Sequence, residues 1–411
     1  MEYPKLRYGL EAHYIQHQGK PYLMLRDRLG YTDKTVLFQP AVGRILALLD
    51  GNRTLRDVQA EVFRQTGELL FSEQLEEILR VLDENLFLEN RRYIEHVART
   101  VARFRNDPVR RAQHAGRSYP EDPDDLKGML DGFFAEAQKA DASENDPRGG
   151  STDRLLALVA PHIDVRAGGT TFARAYRCLS QATDPPRTWV VLGTGHEPVD
   201  NWFALTLKDF ETPLGTVACD RAAAEELVRR SPMDVLAGEY NHRLEHTIEF
   251  QAVFLAHVQP EARIVPVLCS FGPEDWRERR EAVDGFCEAL RAVVRGSSYP
   301  VGLIASVDLA HVGPRYGDEF LPTERTVREH MERDGVLLDA LCRTDAEAFM
   351  EEIARDDNAR KVCGSAPLYV LAKVLSGRAA GRVLDHAHAV VDPQGSFVTF
   401  AAMAFTEAIE C

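Results

Sequence analysis

The second half of the chain alternates short apolar runs with longer amphipathic ones. Strand-sized runs are LLALVA (155–160), TWVVLG (188–193), FALTL (203–207), RIVPVL (263–268), PVGLIASV (300–307) and a closing SFVTFAAMAF (396–405). Between them lie segments with apolar residues at helical spacing, namely RAAAEELVRRS, LEHTIEFQAVFLAHV, DWRERREAVDGFCEALRAVV, the stretch around TERTVREHMERDGVLLDAL, and SAPLYVLAKVLSG. Strands alternating with helices predict an α/β fold, with a mixed, largely parallel sheet covered by helices on both faces.

The first hundred residues are patterned differently. Residues 40–49 have helical periodicity and stop at Asp50-Gly51, a turn or C-cap pair. Thr54 is a candidate N-cap for a second helix and Ser72 for a third. The following LFLENRRYIEHV is expected to supply a short strand pair, which would complete a winged-helix arrangement over residues 1–92. Residues 93–108 read as a basic helical connector broken near Pro108, and 109–411 as the α/β domain. Within the latter, KADASENDPRGGSTD (139–153) has too few apolar residues to pack and is expected to be a polar loop.

With 411 residues, two domains are the natural expectation. Acidic residues outnumber basic ones, 64 to 49, so a nucleic-acid or anionic-membrane partner, which needs a dense basic face, is not expected. The opening MEYPKLRYGLEAHYIQHQGK is polar throughout, with no secretory pattern. The apolar runs fall short of the roughly 20 residues that span a bilayer. Seven cysteines, at 178, 219, 269, 287, 342, 363 and 411, form no C-x-x-C pair. That scatter suits a reducing cytoplasm better than a disulfide framework. Neither a G-x-G-x-x-G nor a Walker A loop is present, so no nucleotide cofactor is indicated.

Candidate chemistry gathers at three strand ends. LLALVA stops at Pro161 and delivers His162 and Asp164; TWVVLG leads to His196; PVGLIASV leads to Asp308 and His311. In open α/β sheets the carboxyl edge is where ligands bind. The competing reading of any one of these is a strand terminus whose histidine caps a turn. Glu245-His246-x-x-Glu249 is expected on a helix, with 245 and 249 one turn apart on the same face. Cys363, in VCGSAP, is expected at a helix start, where exposed N–H groups would lower its thiol pKa. A buried structural cysteine is the alternative there, and the preferred reading for Cys178, Cys219, Cys269, Cys287 and Cys342. Imidazole with thiolate suits zinc, copper or iron, and an added carboxylate or open position favours non-haem iron.

HAGRSYP, VAPHIDVRAGG, VLGTGHEP, ETPLGTVACD, LEHTIEFQAVFL, VPVLCSFG, SVDLAHVGPRYG, VCGSAPLYVL and FVTFAAMAF occur in an order that resembles the Memo family. Its bacterial and archaeal members are called AmmeMemoRadiSam system protein B. The resemblance spans about residues 109–411. It implies a fold related to class III extradiol dioxygenases and a metal site of two histidines and one cysteine, here His162, His196 and Cys363. Asp308 and His311 would line the same pocket, and Glu245 and His246 match the family's E-H-[ST]-I-E helix. Two departures stand out. GTGHEP replaces G-P-S-H-H, with Glu197 where a second histidine is usual, and APHID replaces A-P-H-A-G-Y, adding Asp164.

ILALLDGNRTLRDVQAEV and the later LEEILRVLDENLFL, within residues 20–92, resemble the PqqD-like family of small winged-helix proteins, which bind precursor peptides for radical-SAM maturases. The third helix carries Glu73, Glu76, Glu77, Asp83 and Glu84 against Arg80 alone, which favours a peptide or protein partner over DNA. The combined expectation is a cytoplasmic metal-dependent redox enzyme, dioxygenase-like, in a radical-SAM-associated pathway. Iron(II) is the leading metal, copper and zinc the alternatives, and His311, Asp308, His246 and Glu245 the catalytic candidates. The other class of reading is a non-catalytic metal-binding scaffold or a peptide-binding partner of a radical-SAM enzyme.

Overall fold

A computed structural model describes residues 2–143, 154–182, 184–197, 199 and 201–408. The chain divides into two compact units, Met1–Asn106 and Asp107–Cys411.

The first unit begins with an antiparallel sheet of β1 (Leu10–His17), β2 (Lys20–Asp27) and β3 (Thr35–Phe38). Four helices follow: α1 (Val42–Leu48), α2 (Leu55–Thr66), α3 (Ser72–Glu84) and α4 (Arg91–Asn106). Leu23, Leu25, Ile45, Val58, Leu75, Leu82 and Phe87 form its core. Thr54 caps α2 as expected, accepting from the Asp57 N–H. Ser72 does not cap α3; it is the first helical residue, and the N–H of Phe71 donates to Gln74 Oε1 at 3.0 Å.

The strand pair expected after α3 does not form. A single bridge joins Leu6 to Leu88, and α4 starts at Arg91. Tyr93, Val97, Val101 and Phe104 recur at helical spacing, and Glu95 pairs with Arg91 and Arg99 one turn away on either side, so a helix is the better use of this stretch. The unit's sheet lies instead before its helices. The stretch expected as a helical connector is helical, and the boundary between the compact units falls at its end, after Asn106.

The second unit starts with β4 (Val109–Arg110) and α5 (Pro123–Ser143). The start of the expected polar loop is the end of α5, and 144–153 lie outside the described residues. The chain continues through β5 (Leu155–Ala160), α6 (Val165–Gln181), β6 (Thr188–Thr194), β7 (Phe203–Leu205), β8 (Asp209–Thr212), β9 (Gly215–Cys219) and α7 (Arg221–Arg230). Next come α8 (Thr247–Val258), β10 (Arg263–Cys269), α9 (Pro273–Glu278), α10 (Arg280–Gly296), β11 (Val301–Ser306) and β12 (His311–Val312). Last are α11 (Glu324–Cys342), α12 (Ala346–Ala354), α13 (Ser365–Leu375), β13 (Ala379–Val390) and β14 (Phe397–Glu407).

These strands form an 11-stranded mixed sheet, ordered β12-β14-β5-β11-β6-β10-β9-β8-β4, with β13 on β14 and β7 on β10. Its centre, β5-β11-β6-β10, is parallel. Side chains alternate between two layers, as strand geometry requires. In β6, Val190 and Leu192 join Phe286, Leu290, Leu341 and Leu371 on one face. Trp189 and Val191 join Phe172, Phe254 and Leu126 on the other. Both faces are covered, which is why the central strands read as unbroken apolar runs.

The strand order sets up the site. The chain passes from β5 to β6 and leaves a gap that β11 fills much later. Such a switch point in strand order opens a crevice at the carboxyl edge. Three parallel strand ends, from β5, β11 and β6, therefore meet side by side.

Candidate metal centre

His162 follows β5, and 2% of it is exposed. Its Nδ1 lies 3.0 Å from the Ser306 carbonyl of β11, and its Nε2 lies 3.3 Å from Cys363 Sγ. A carbonyl only accepts, so Nδ1 carries the proton and Nε2 presents a lone pair to the sulfur's side. Burial, reinforced by His196 and His246 nearby, holds its pKa well below the usual imidazole range.

Cys363 reaches this point because Gly364 has no side chain. A Cβ at Gly364 would stand 2.5 Å from Val307 Cβ and 2.8 Å from the Asp308 carbonyl. The Gly364 N–H donates to that same carbonyl at 3.1 Å. Helix α13 begins at Ser365, with Gly364 as its cap, so Cys363 sits just outside the helix start. Burial pushes its thiol pKa up, against the opposing pull of His196. The lowering expected from the helix terminus is therefore outweighed, because a buried thiolate loses more solvation than the nearby dipoles return.

His196, after β6, is tied to Glu245. Its backbone N–H donates to Oε2 at 3.0 Å, and its Nδ1 lies 3.1 Å from both carboxylate oxygens. Burial lowers the His196 pKa, but Glu245 and then Cys363 outweigh it and raise the value well above the usual range. With 39% of the side chain exposed, solvent screens part of that effect. Glu245 also accepts from His246, whose Nδ1 is 3.1 Å from Oε1. Despite burial, these two imidazoles keep its carboxyl well below the usual range. The rings of His196 and His246 stack at 5.1 Å, and His162 meets each edge-on at 5.1 and 5.3 Å.

Glu245 and Glu249 do not share a helix face. Helix α8 starts at Thr247 with His246 as its cap, so Glu245 precedes the helix and turns toward His196. Glu249 is fully buried and accepts from Arg110, from the Tyr119 hydroxyl and from the His114 N–H, the last at 2.8 Å. Arg110 also donates to the Glu245 carbonyl at 2.7 Å. The start of α8 stitches the strand ends together as well. Thr247 Oγ1 donates to the Thr194 carbonyl at 3.1 Å, and Gln251 Nε2 to the Pro161 carbonyl and Ser306 Oγ at 2.8 and 2.7 Å.

Asp308 completes the cluster from β11. Its Oδ1 accepts the N–H groups of His162 and Ile163 at 3.0 and 3.2 Å, and its Oδ2 lies 3.6 Å from His162 Nε2. Burial raises its pKa to about 6, although those two N–H bonds oppose the shift. The carboxylate thus engages His162, not His311. His311 turns away, with Nδ1 3.1 Å from the Leu309 carbonyl and its ring edge-on to Tyr316 at 4.9 Å. Burial lowers its pKa to about 4. Asp164 also stays out of the cluster. It caps α6 by accepting from the Arg166 N–H at 3.0 Å.

Tyr316 was not singled out from the sequence. It is half-buried, and burial together with the negative charges of Asp308 and Cys363 raises its pKa to about 12, with Arg315 opposing. Arg110, His114 and Tyr119 also escaped notice, because they act through Glu249. HAGRSYP, the block that contains two of them, was the available signal.

The donor atoms of His162, His196 and Cys363 all lie within 4.8 Å of one another, and so do those of His196, Glu245 and His246. Tetrahedral bonds of roughly 2.0–2.3 Å place ligand atoms less than about 4 Å apart, so modest closure would be needed to grip an ion. The donor chemistry fits one. Both histidines are fixed through Nδ1 to an acceptor, the arrangement that metal-ligating imidazoles use to aim Nε2. Imidazole and thiolate together suit zinc, copper or iron.

Residues 110–404 match a family model described as Memo-like protein. A MEMO1 family protein of Aquifex aeolicus is 28% identical over 395 residues, covering 95% of this chain and 97% of that protein. A MEMO1 family protein of Thermus thermophilus is 30% identical over 335 residues, covering 81% of this chain and 93% of its own. One from Methanopyrus kandleri is 31% identical over 302 residues, with 71% and 96% covered. On this evidence the chain belongs to the Memo family.

Proposed function

We propose that the protein is a metal-dependent redox enzyme of the cytoplasm, with His162, His196 and Cys363 as ligands and iron(II) as the resident metal. The observation that carries this reading is the pair of histidines held through Nδ1 beside a single thiol. Copper and zinc remain compatible with the same donors. A bound iron(II) would supply one-electron chemistry and a site where dioxygen or an oxygen-bearing substrate is polarised.

The chain's own groups divide the remaining work. Ser306 and Glu245 orient the two imidazoles. Asp308, with Oδ1 occupied by two N–H groups, keeps Oδ2 for a proton at a substrate oxygen. His246, partly exposed and bonded to Glu245, exchanges protons at the mouth of the site. His311, kept neutral by burial and edge-on to Tyr316, serves as a general base.

We assign the first unit to recognition of a peptide or protein, in keeping with a radical-SAM-associated pathway. Arg80, the one basic residue of α3, is already paired with Glu77 and Glu84, so the helix offers an acidic surface. The alignment with the Aquifex protein covers 95% of the chain and therefore reaches into this unit.

The test is oxygen uptake by protein loaded anaerobically with iron(II), in wild type and in Asp308→Asn and His311→Ala. Loss of turnover by roughly 10²–10⁴-fold at unchanged metal content supports catalysis. No uptake by wild type, with iron(II), copper or zinc bound and with generic electron acceptors offered, favours the non-catalytic scaffold.

A further inference from the structure

Asp334, in the middle of α11, belongs to none of the elements that carry the site. It is fully buried, and Leu337, Leu338 and Leu341 on the same helix are core residues. A carboxylate there is costly unless paired. Its Oδ1 accepts from Arg360 Nη1 at 2.7 Å, and Arg360 is itself 4% exposed. Its Oδ2 accepts from Thr399 Oγ1 at 2.5 Å, with His386 Nε2 at 3.6 Å on the same side.

Both partners pass the constraint on. The Thr399 carbonyl accepts the Leu309 N–H at 2.7 Å, its Oγ1 accepts the Ala310 N–H at 2.8 Å, and its own N–H donates to the Ala310 carbonyl at 2.9 Å. The Arg360 carbonyl accepts the His311 N–H at 2.9 Å. Residues 309, 310 and 311 are therefore each fastened to a residue that Asp334 holds. Arg360 lies three positions before Cys363, and the Gly364 N–H bonds back to the Asp308 carbonyl. One buried carboxylate thus ties together the two segments that deliver Asp308, His311 and Cys363.

We infer that Asp334, through Arg360 and Thr399, is the positioning residue that sets Cys363 against Asp308 and His162. The inference builds on the metal-site reading, although its geometry stands without it. Buried ion pairs seldom add net stability over apolar residues of similar volume. The role assigned to this pair is therefore the arrangement it imposes rather than net stability.

The decisive variant replaces the pair with apolar residues, Asp334→Leu with Arg360→Met, so that no charge is left stranded. Three quantities are read: thermal midpoint, zinc(II) affinity, and the rate at which iodoacetamide alkylates Cys363 in metal-free protein. The expected result is a thermal midpoint near that of wild type, affinity lower by roughly ten-fold or more, in the range for losing outer-shell support, and alkylation several-fold faster. A purely structural pair would leave affinity and alkylation unchanged in the folded variant, and that result overturns the inference. If the double variant does not fold, Thr399→Val, which cuts the Asp334–Thr399 arm of the link with one near-isosteric change, is read in the same way. Wild-type protein that takes up no zinc(II) would sink the metal reading, while the alkylation rates would still decide on positioning.

Discussion

Cys363 Sγ lies 3.3 Å from His162 Nε2, although 201 positions separate them in the chain. Two features make the contact. Strand β11 inserts between β5 and β6, so the segment after β5 lies beside the one after β11. Gly364 then lets the Cys363 loop rest directly on Val307 and Asp308.

Substituting Gly364→Ala should therefore injure the site before it injures the fold. The added Cβ cannot be accommodated against the Asp308 carbonyl, so the 363–364 backbone must lift. Overpacking of this kind costs about 1–3 kcal/mol. Thermal denaturation should show a moderate loss, and metal titration a disproportionate one. Unchanged metal affinity would mean that the close approach does not set the position of Cys363.

Glu249 predicts the opposite balance. It is the shared acceptor for Arg110, Tyr119 and His114, and its loss leaves a buried guanidinium without its carboxylate. Glu249→Ala should cost about 3–5 kcal/mol in chemical denaturation. An effect below about 1 kcal/mol would show that Arg110 finds another partner.

How legible all this was in the sequence depended on whether a residue's neighbours were local. The central strands were readable because burial on both faces leaves no polar position to interrupt Leu155–Ala160 or Thr188–Thr194. Strand β13 was not, because its residues are mostly half-exposed and include Arg382, Asp385, His386 and His388. His162, His196 and Asp308 were marked by their places just after apolar runs, and the structure brings them together with Cys363. Asp308 and His311, expected to line one pocket, do not pair, for a local reason: two backbone N–H groups across the crevice claim the carboxylate first. Glu245 and Glu249 were assigned one face because α8 was assumed to start two residues early. The links from Asp334 to Thr399 and from Glu249 to Arg110 span 65 and 139 positions, and no spacing rule reaches that far.

Acid should destabilise the second unit through its buried histidines. His242 is 1% exposed, and burial lowers its pKa to about 4. The unfolded chain takes up a proton near pH 6.5, while the folded one resists until about 4. The contribution of His242 is therefore complete above pH 6.5 and declines as pH falls to about 4, by about 3 kcal/mol in total. His311, with its pKa also near 4, adds to the same slope. Denaturant titrations across this window should show stability falling with pH, and less steeply in His242→Gln. Asp308, whose raised pKa opposes this trend, is common to both proteins, so equal slopes in wild type and His242→Gln between pH 6.5 and 4.5 would contradict the burial assigned to that ring.

Removing residues 1–106 at the boundary between the compact units should leave metal stoichiometry unchanged. All the proposed ligands and their hydrogen-bond partners lie beyond that boundary. If the proposed role of the first unit holds, the truncated protein should lose affinity for a candidate precursor peptide that the untruncated chain binds. Metal lost with the first unit would mean that this unit completes the site.

The most direct test of the metal centre is X-ray absorption on anaerobically purified protein, with metal content measured in parallel. One ion per chain is predicted, with one sulfur scatterer near ~2.3 Å and nitrogen scatterers near ~2.0–2.1 Å. Cys363→Ser should abolish the sulfur signal and most of the bound metal. A wild-type protein without a sulfur scatterer, or a Cys363→Ser variant that keeps full occupancy, would contradict the assignment of His162, His196 and Cys363 as the ligands.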